Sequence, residues 1–191
     1  YLTDLLGKQF RFDHGHAMLM KKGGEAFALH GGGAPKEPGI RYEVADGQIR
    51  SELLVVEYAL CDVAEGDGGL CVVPGSHKSN FACPSSLASL EKPGAWLRNV
   101  PQKAGSAVIF TEALTHGTLP WTADHERRAL FYRYTPGYMA FVGRYREDGL
   151  EASDGGYPQP SHSEEGDWSP EERRILEAPY FWKRDDNFSE S

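Results

Sequence analysis

The sequence predicts a mainly β domain made of many short strands. Across 191 residues, 22 glycines and 12 prolines cut the chain into short apolar runs, the pattern of strands joined by tight turns. Asp46-Gly47 lies between two such runs and is a strong hairpin signal. Helical periodicity is scarce. A chain of this length makes one domain with a real core. Strands of this kind close as a sandwich, a barrel or a jelly roll, and composition does not choose among them.

Taken in order, Ala26 to His30 reads as a strand running into Gly31, Gly32 and Gly33. Ile40 to Val44 and Ile49 to Val63 flank the turn Ala45-Asp46-Gly47-Gln48. Gly69 to Val73 is a short strand ended by Pro74-Gly75, and Ser106 to Thr111 is another, entered through Gly105. Arg128 to Thr135 alternates and stops at Pro136-Gly137. One short helix is expected within 79–95. A second starts at Ser169, with Pro170 at its first position and Glu171 and Glu172 in its first turn, and runs to about Leu176. Residues 143–167 are polar and rich in Gly and Pro, a surface loop within the domain.

Hydrophobic residues at 40% and charged residues at 25% are ordinary for a soluble globular protein. No apolar run approaches the ~20 residues of a membrane helix, and no signal-peptide pattern opens the chain. The net charge is -8, and the basic pairs Lys21-Lys22 and Arg127-Arg128 stand alone. Nucleic acid binding is therefore not expected, because phosphate neutralisation needs clustered Lys and Arg. Cys61, Cys71 and Cys83 form no CxxC pair, and their odd number argues against a disulfide framework. The expectation is a cytoplasmic protein without a membrane partner; nothing in the sequence fixes an oligomeric state.

Three segments carry a resemblance. Glu65-Gly66-Asp67-Gly68-Gly69-Leu70-Cys71-Val72-Val73-Pro74-Gly75-Ser76-His77-Lys78 follows Ala59-Leu60-Cys61-Asp62. Gly105-Ser106-Ala107-Val108-Ile109-Phe110 precedes Thr115-His116-Gly117-Thr118, and Arg127-Arg128-Ala129-Leu130 leads into a strand. Together they resemble the phytanoyl-CoA dioxygenase family of iron(II)/2-oxoglutarate oxygenases, over roughly residues 26 to 140. The resemblance implies a double-stranded β-helix, the cupin-like jelly roll, with a few peripheral helices. The family has helices before its first metal-binding strand, and only about 25 residues precede that strand here. The chain, which begins at Tyr1, therefore reads as a piece lacking N-terminal helices.

The resemblance also implies a site and an activity. His30 and His116 would bind iron(II), whose open positions take 2-oxoglutarate and O2. Arg127 would hold the cosubstrate's C5 carboxylate, since a guanidinium binds carboxylate bidentately, with Arg128 as the neighbouring alternative. Thr118 would assist. The implied reaction is oxidation of a small organic molecule, such as hydroxylation of an unactivated C–H bond. His77 would be a structural residue in a tight turn. His14 and His16 precede the matched core and read as surface residues, as do His125 and His162. The substrate pocket would be built by residues 81–99 and 137–157, with Trp96, Trp121, Tyr138 and Tyr157 as possible lining or core.

One member of the site is missing. The family's first motif is His-x-Asp, and position 32 is Gly. Three readings stay open. Another carboxylate completes the site: Glu57, in the apolar run Leu53 to Leu60, is the leading choice, because a Glu there needs a metal or an ion pair with Arg133 or Arg50. Glu112 shares strand parity with His116 but is too far away unless the strand bends. Alternatively a halide or water fills the vacancy, a halide binding iron directly as in iron/2-oxoglutarate halogenases. In the third reading the domain binds ligands without catalysis.

Overall fold

The computed structural model describes residues 1–32, 39–79, 81–90, 94–141, 167–177 and 179. Helix α1 (Leu2–Leu6) leads into β1 (Arg11–Met20). The remaining strands are β2 (Phe27–His30), β3 (Tyr42–Ala45), β4 (Gln48–Ser51), β5 (Leu54–Ala59), β6 (Gly69–Val72), β7 (Arg98–Asn99), β8 (Ala107–Thr111), β9 (His116–Leu119) and β10 (Arg127–Thr135). Antiparallel pairing gives one four-stranded sheet, β1-β10-β5-β8, a second, β2-β9-β6-β7, and the separate hairpin β3-β4. This is the jelly roll that the resemblance implies.

The core lies between the sheets: Val55, Phe110, Ala129 and Phe131 from the first meet Leu70 from the second. β5 lies between β10 and β8 and is buried along nearly its whole length, which is why it reads as a continuous apolar run broken only by Glu57. In the hairpin Ala45 pairs with Gln48. Asp46 (φ 52°) and Gly47 (φ 74°) take the left-handed conformations that a two-residue turn of this type requires. The expected strand 49–63 is two strands: it breaks at Glu52-Leu53, and its halves join different sheets.

The N-terminal strand β1 was not expected. Its polar residues hid it, and they are buried with partners. Arg11 Nη1 donates to Asp13 Oδ1 at 3.0 Å, Asp13 Oδ2 lies 2.7 Å from His14 Nδ1, and the Phe141 amide donates to Asp13 at 2.9 Å. His14 is buried and His16 half-buried, so neither is a surface residue. Helix α2 (Ser85–Ala88) is a single turn within the expected stretch. Helix α3 (Pro170–Ile175) has the expected start, a capping box in which Ser169 and Glu172 satisfy each other's amides. Trp121 is fully buried in the core beside Met20 and Val63. The expected loop 143–167 lies, but for Asp167, outside the described residues, with Tyr157 and His162. No described helix is long and apolar enough to cross a membrane.

Candidate metal centre

His30 ends β2 and His116 begins β9. The two strands pair so that these residues stand opposite each other, and residues opposed on paired strands share a face. The ring centroids are 4.1 Å apart. His30 Nδ1 lies 3.1 Å from the Ala28 carbonyl, and His116 Nδ1 lies 2.7 Å from the Leu114 carbonyl. A carbonyl can only accept, so each Nδ1 carries a proton, and in the neutral ring Nε2 keeps the lone pair that a metal needs. Burial also holds His116 below the usual histidine range, against the pull of Glu112, which favours the neutral ligand form.

Both Nε2 atoms face Glu112. Its Oε1 lies 3.9 Å from His30 Nε2 and 3.7 Å from His116 Nε2. The three side chains offer ligand atoms that all lie within 4.8 Å of one another. Glu112 Oε2 is buried without a hydrogen bond and stands 3.7 Å from Arg133 Nε.

Local structure brings Glu112 in. The chain turns at Thr111–Leu114: the Leu114 amide donates to the Thr111 carbonyl at 2.9 Å, and the Ala113 amide to Thr111 Oγ1 at 3.3 Å. The Glu112 amide meanwhile stays tied to the Leu53 carbonyl at 3.0 Å. Strand parity therefore does not govern the Glu112–His116 separation; a turn closes it. Two glycines make room for this turn. Gly31 and Gly32 have φ of 70° and 69°, a conformation in which side chains are strained. A Cβ on Gly31 would strike the Glu112 carbonyl, and one on Gly32 would lie 2.5 Å from Thr115 Oγ1 and 2.8 Å from the Ala113 carbonyl. No aspartate fits at position 32 beside this loop. The space is filled by the very turn that delivers Glu112.

The Pro-Gly-Ser-His segment fastens the turn from the other side. The Thr115 amide donates to Ser76 Oγ at 2.7 Å, and the Val73 amide to the Thr115 carbonyl at 2.9 Å. His77 stays out of the centre, with its ring edge-on to Tyr42 at 4.7 Å.

Glu57 does not join this group. It is fully buried and receives a hydrogen bond from Arg127 Nη2 at 2.6 Å. The leading choice for the third carboxylate is thus in an ion pair, with Arg127 rather than Arg133 or Arg50. The structure brings His30 and His116 together with Glu112, and puts Arg127 with Glu57. Thr118 is buried on β9, two residues from His116 and so on the same face. Arg128 is largely exposed and bonds Glu126. Sequence reasoning set Glu112 aside on straight-strand geometry and named Arg133 only as a partner for Glu57. The usable signal was the run of glycines where a carboxylate was expected.

The residues fit a metal. Two neutral imidazoles and one carboxylate are the donor set of non-haem iron(II), with further positions left open. Arg127, expected to anchor the cosubstrate carboxylate, is engaged with protein groups. Its Nη2 is taken by Glu57, and its Nη1 lies 3.0 and 3.4 Å from the sulfurs of Met18 and Met20. Its Nε abuts Gly69, where a Cβ would come within 3.0 Å.

Residues 29–129 match the model of the phytanoyl-CoA dioxygenase family. The chain belongs to this family. Among solved structures it is similar to HygX from Streptomyces hygroscopicus with nickel and 2-oxoglutarate bound, at TM-score 0.67 and 22% identity over 77% of this chain and 67% of that one. The iron-bound form of HygX gives TM-score 0.65, at 22% identity over 77% of this chain and 67% of that one. AviO1 from Streptomyces viridochromogenes Tue57 gives TM-score 0.52 at 17% identity, over 70% of this chain and 54% of that one. The chain thus spans about two thirds of the length of HygX. No curated protein matches it. These likenesses support the fold; the site is this chain's own.

Proposed function

We propose that this member of the phytanoyl-CoA dioxygenase family is an iron(II)/2-oxoglutarate-dependent oxygenase in which Glu112 takes the place of the His-x-Asp carboxylate. The observation that carries this reading is the convergence of His30, His116 and Glu112 ligand atoms within 4.8 Å. Bound iron, with 2-oxoglutarate and O2, would supply the oxidising chemistry for a small organic substrate, hydroxylation being the simplest case. HygX binds nickel and 2-oxoglutarate, which supports the same cofactor class here.

The chain's own residues hold the site. Carbonyls of Ala28 and Leu114 orient the two histidines. The Phe110 ring lies 4.9 Å from His116 and closes one side with apolar surface. A cavity of about 320 Å³ opens beside Thr115, walled by Val73, Pro74, Phe81, Leu87 and Trp96. Thr115 precedes His116 in the chain, and the cavity walls favour an apolar portion of a ligand. The three free cysteines suit a reducing cytoplasm.

Halogenation needs an empty ligand position after the first histidine. Here loop backbone fills that place and a carboxylate is supplied from elsewhere, which favours oxygenation. The paired state of Arg127 favours one second reading, a metal-binding domain that takes no 2-oxoglutarate. Anaerobic iron(II) titration, followed by 2-oxoglutarate-dependent succinate release in air, separates the two. Iron binding with succinate release supports the oxygenase; iron binding without it supports the second reading; no iron binding rejects both.

A further inference from the structure

We infer that the cosubstrate's distal carboxylate is anchored by Arg133, not by Arg127. The inference rests on the oxygenase reading and concerns the same site. Arg127 and Arg133 lie on the same strand, β10, an even number of residues apart and therefore on one face. Their surroundings differ. Arg127 is neutralised by a hydrogen-bonded glutamate at 2.6 Å, with both side chains 1% exposed. A ligand carboxylate there would set two anions against one buried cation, and like charges in such a site oppose ionisation.

Arg133 has no such partner. Its nearest described carboxylate, Glu112, is 3.7 Å away, beyond hydrogen-bond reach, and its Nη1 donates to His16 Nδ1 at 3.1 Å. To accept that bond His16 must be neutral, and burial together with Arg133 holds it below the usual histidine range. His16 is in turn stacked on Phe131, at 5.2 Å between ring centroids, which fixes its orientation. The Arg133 side chain is 14% exposed, so the guanidinium is shielded from water yet still reachable.

Charge balance points the same way. A divalent metal with the single negative charge of Glu112, beside Arg133, leaves two positive charges in a partly buried site. A dianionic 2-oxo diacid cancels them: one end chelates the metal, and the other meets the planar fork of Arg133. The Glu57–Arg127 end is already charge-balanced.

The test uses the whole chain loaded with cobalt(II) and compares 2-oxoglutarate with 2-oxopentanoate, which lacks only the distal carboxylate. The wild-type protein should prefer 2-oxoglutarate by about tenfold or more. Arg133→Gln should erase that preference without weakening cobalt binding, and Arg133→Lys should restore part of it. The double variant Glu57→Leu with Arg127→Met, which removes both buried charges together, should keep the preference. An unchanged preference in Arg133→Gln, or its loss in the double variant, overturns the inference while leaving the oxygenase reading in place. Failure of the wild-type protein to bind cobalt rejects the oxygenase reading; cobalt binding without affinity for either 2-oxo acid rejects the cosubstrate and this anchor together.

Discussion

Glu57 and Glu112 are both buried glutamates of the same jelly roll, and their surroundings give them opposite fates. Glu57 sits mid-strand on β5, and one strand away Arg127 comes within 2.6 Å of it. Glu112 sits in the turn after β8. Its neighbours are two histidine nitrogens and a guanidinium more than 3.5 Å away, and one of its oxygens has no hydrogen bond. Each carboxylate keeps one buried oxygen without a hydrogen bond, but only Glu57 has a hydrogen-bonded cation, whereas Glu112 faces two histidines. Burial of a charged residue in the sequence signals that compensation exists. Only the partner says whether the compensation is an ion pair or a metal.

The largest stability effect should come from breaking the paired end. Arg127→Met alone leaves Glu57 buried without its cation, and should cost about 3–5 kcal/mol in chemical denaturation. A loss below about 1 kcal/mol would mean that the pair is not the closed unit described.

Asp13 is a third buried carboxylate and extends the contrast, since it is paired with Arg11, His14 and the Phe141 amide. Burial alone would raise its pKa, but these partners outweigh burial and hold it below the usual carboxylate range. A carboxylate with a depressed folded pKa contributes stability above its unfolded pKa, and that stability is lost as pH falls through the folded value. Asp13→Asn should therefore destabilise by roughly 1.5–3 kcal/mol at pH 7. The gap to wild type should close as pH drops below the ordinary carboxylate range, and a gap independent of pH would contradict the pairing.

Gly32→Ala probes the open end. The left-handed backbone and the contact with Thr115 should cost about 1–3 kcal/mol. A thermal melt gives that loss, and a cobalt titration should show weaker binding, because the turn carrying Glu112 is pushed aside. Wild-type values in both would mean that Gly32 is not what admits the turn.

The smallest effect is expected from removing both members of the closed pair. Burial lifts the Glu57 carboxyl above the usual range despite the pull of Arg127, so the pair is tolerated rather than strongly stabilising. Glu57→Leu with Arg127→Met should unfold within about 1 kcal/mol of wild type.

Much of the fold was legible in the sequence because its cause is local. Asp46-Gly47 makes its hairpin, Ser169-Pro170 starts its helix, and the glycines and prolines bound the strands. Strand β1 was not legible, because Arg11, Asp13 and His14 satisfy one another and Phe141 across the fold, and sequence pattern carries no record of that. Of the cluster His30, Glu112 and His116, the resemblance pointed to the two histidines and not to the carboxylate. The turn at Glu112-Ala113-Leu114-Thr115 contains no Gly or Pro to announce itself. Its announcement lies more than eighty residues earlier, in glycines whose lack of side chains lets it approach. Arg127 matched the family's spacing, but spacing does not reveal the glutamate beside it.

The most direct test of the account is cobalt(II) affinity in Glu112→Ala beside the Glu57→Leu, Arg127→Met double variant, both checked for folding. Glu112→Ala should lose affinity on the order of a hundredfold or more, and the double variant should bind like wild type. Wild-type affinity in Glu112→Ala, or loss of binding in the folded double variant, would contradict the assignment of the third ligand.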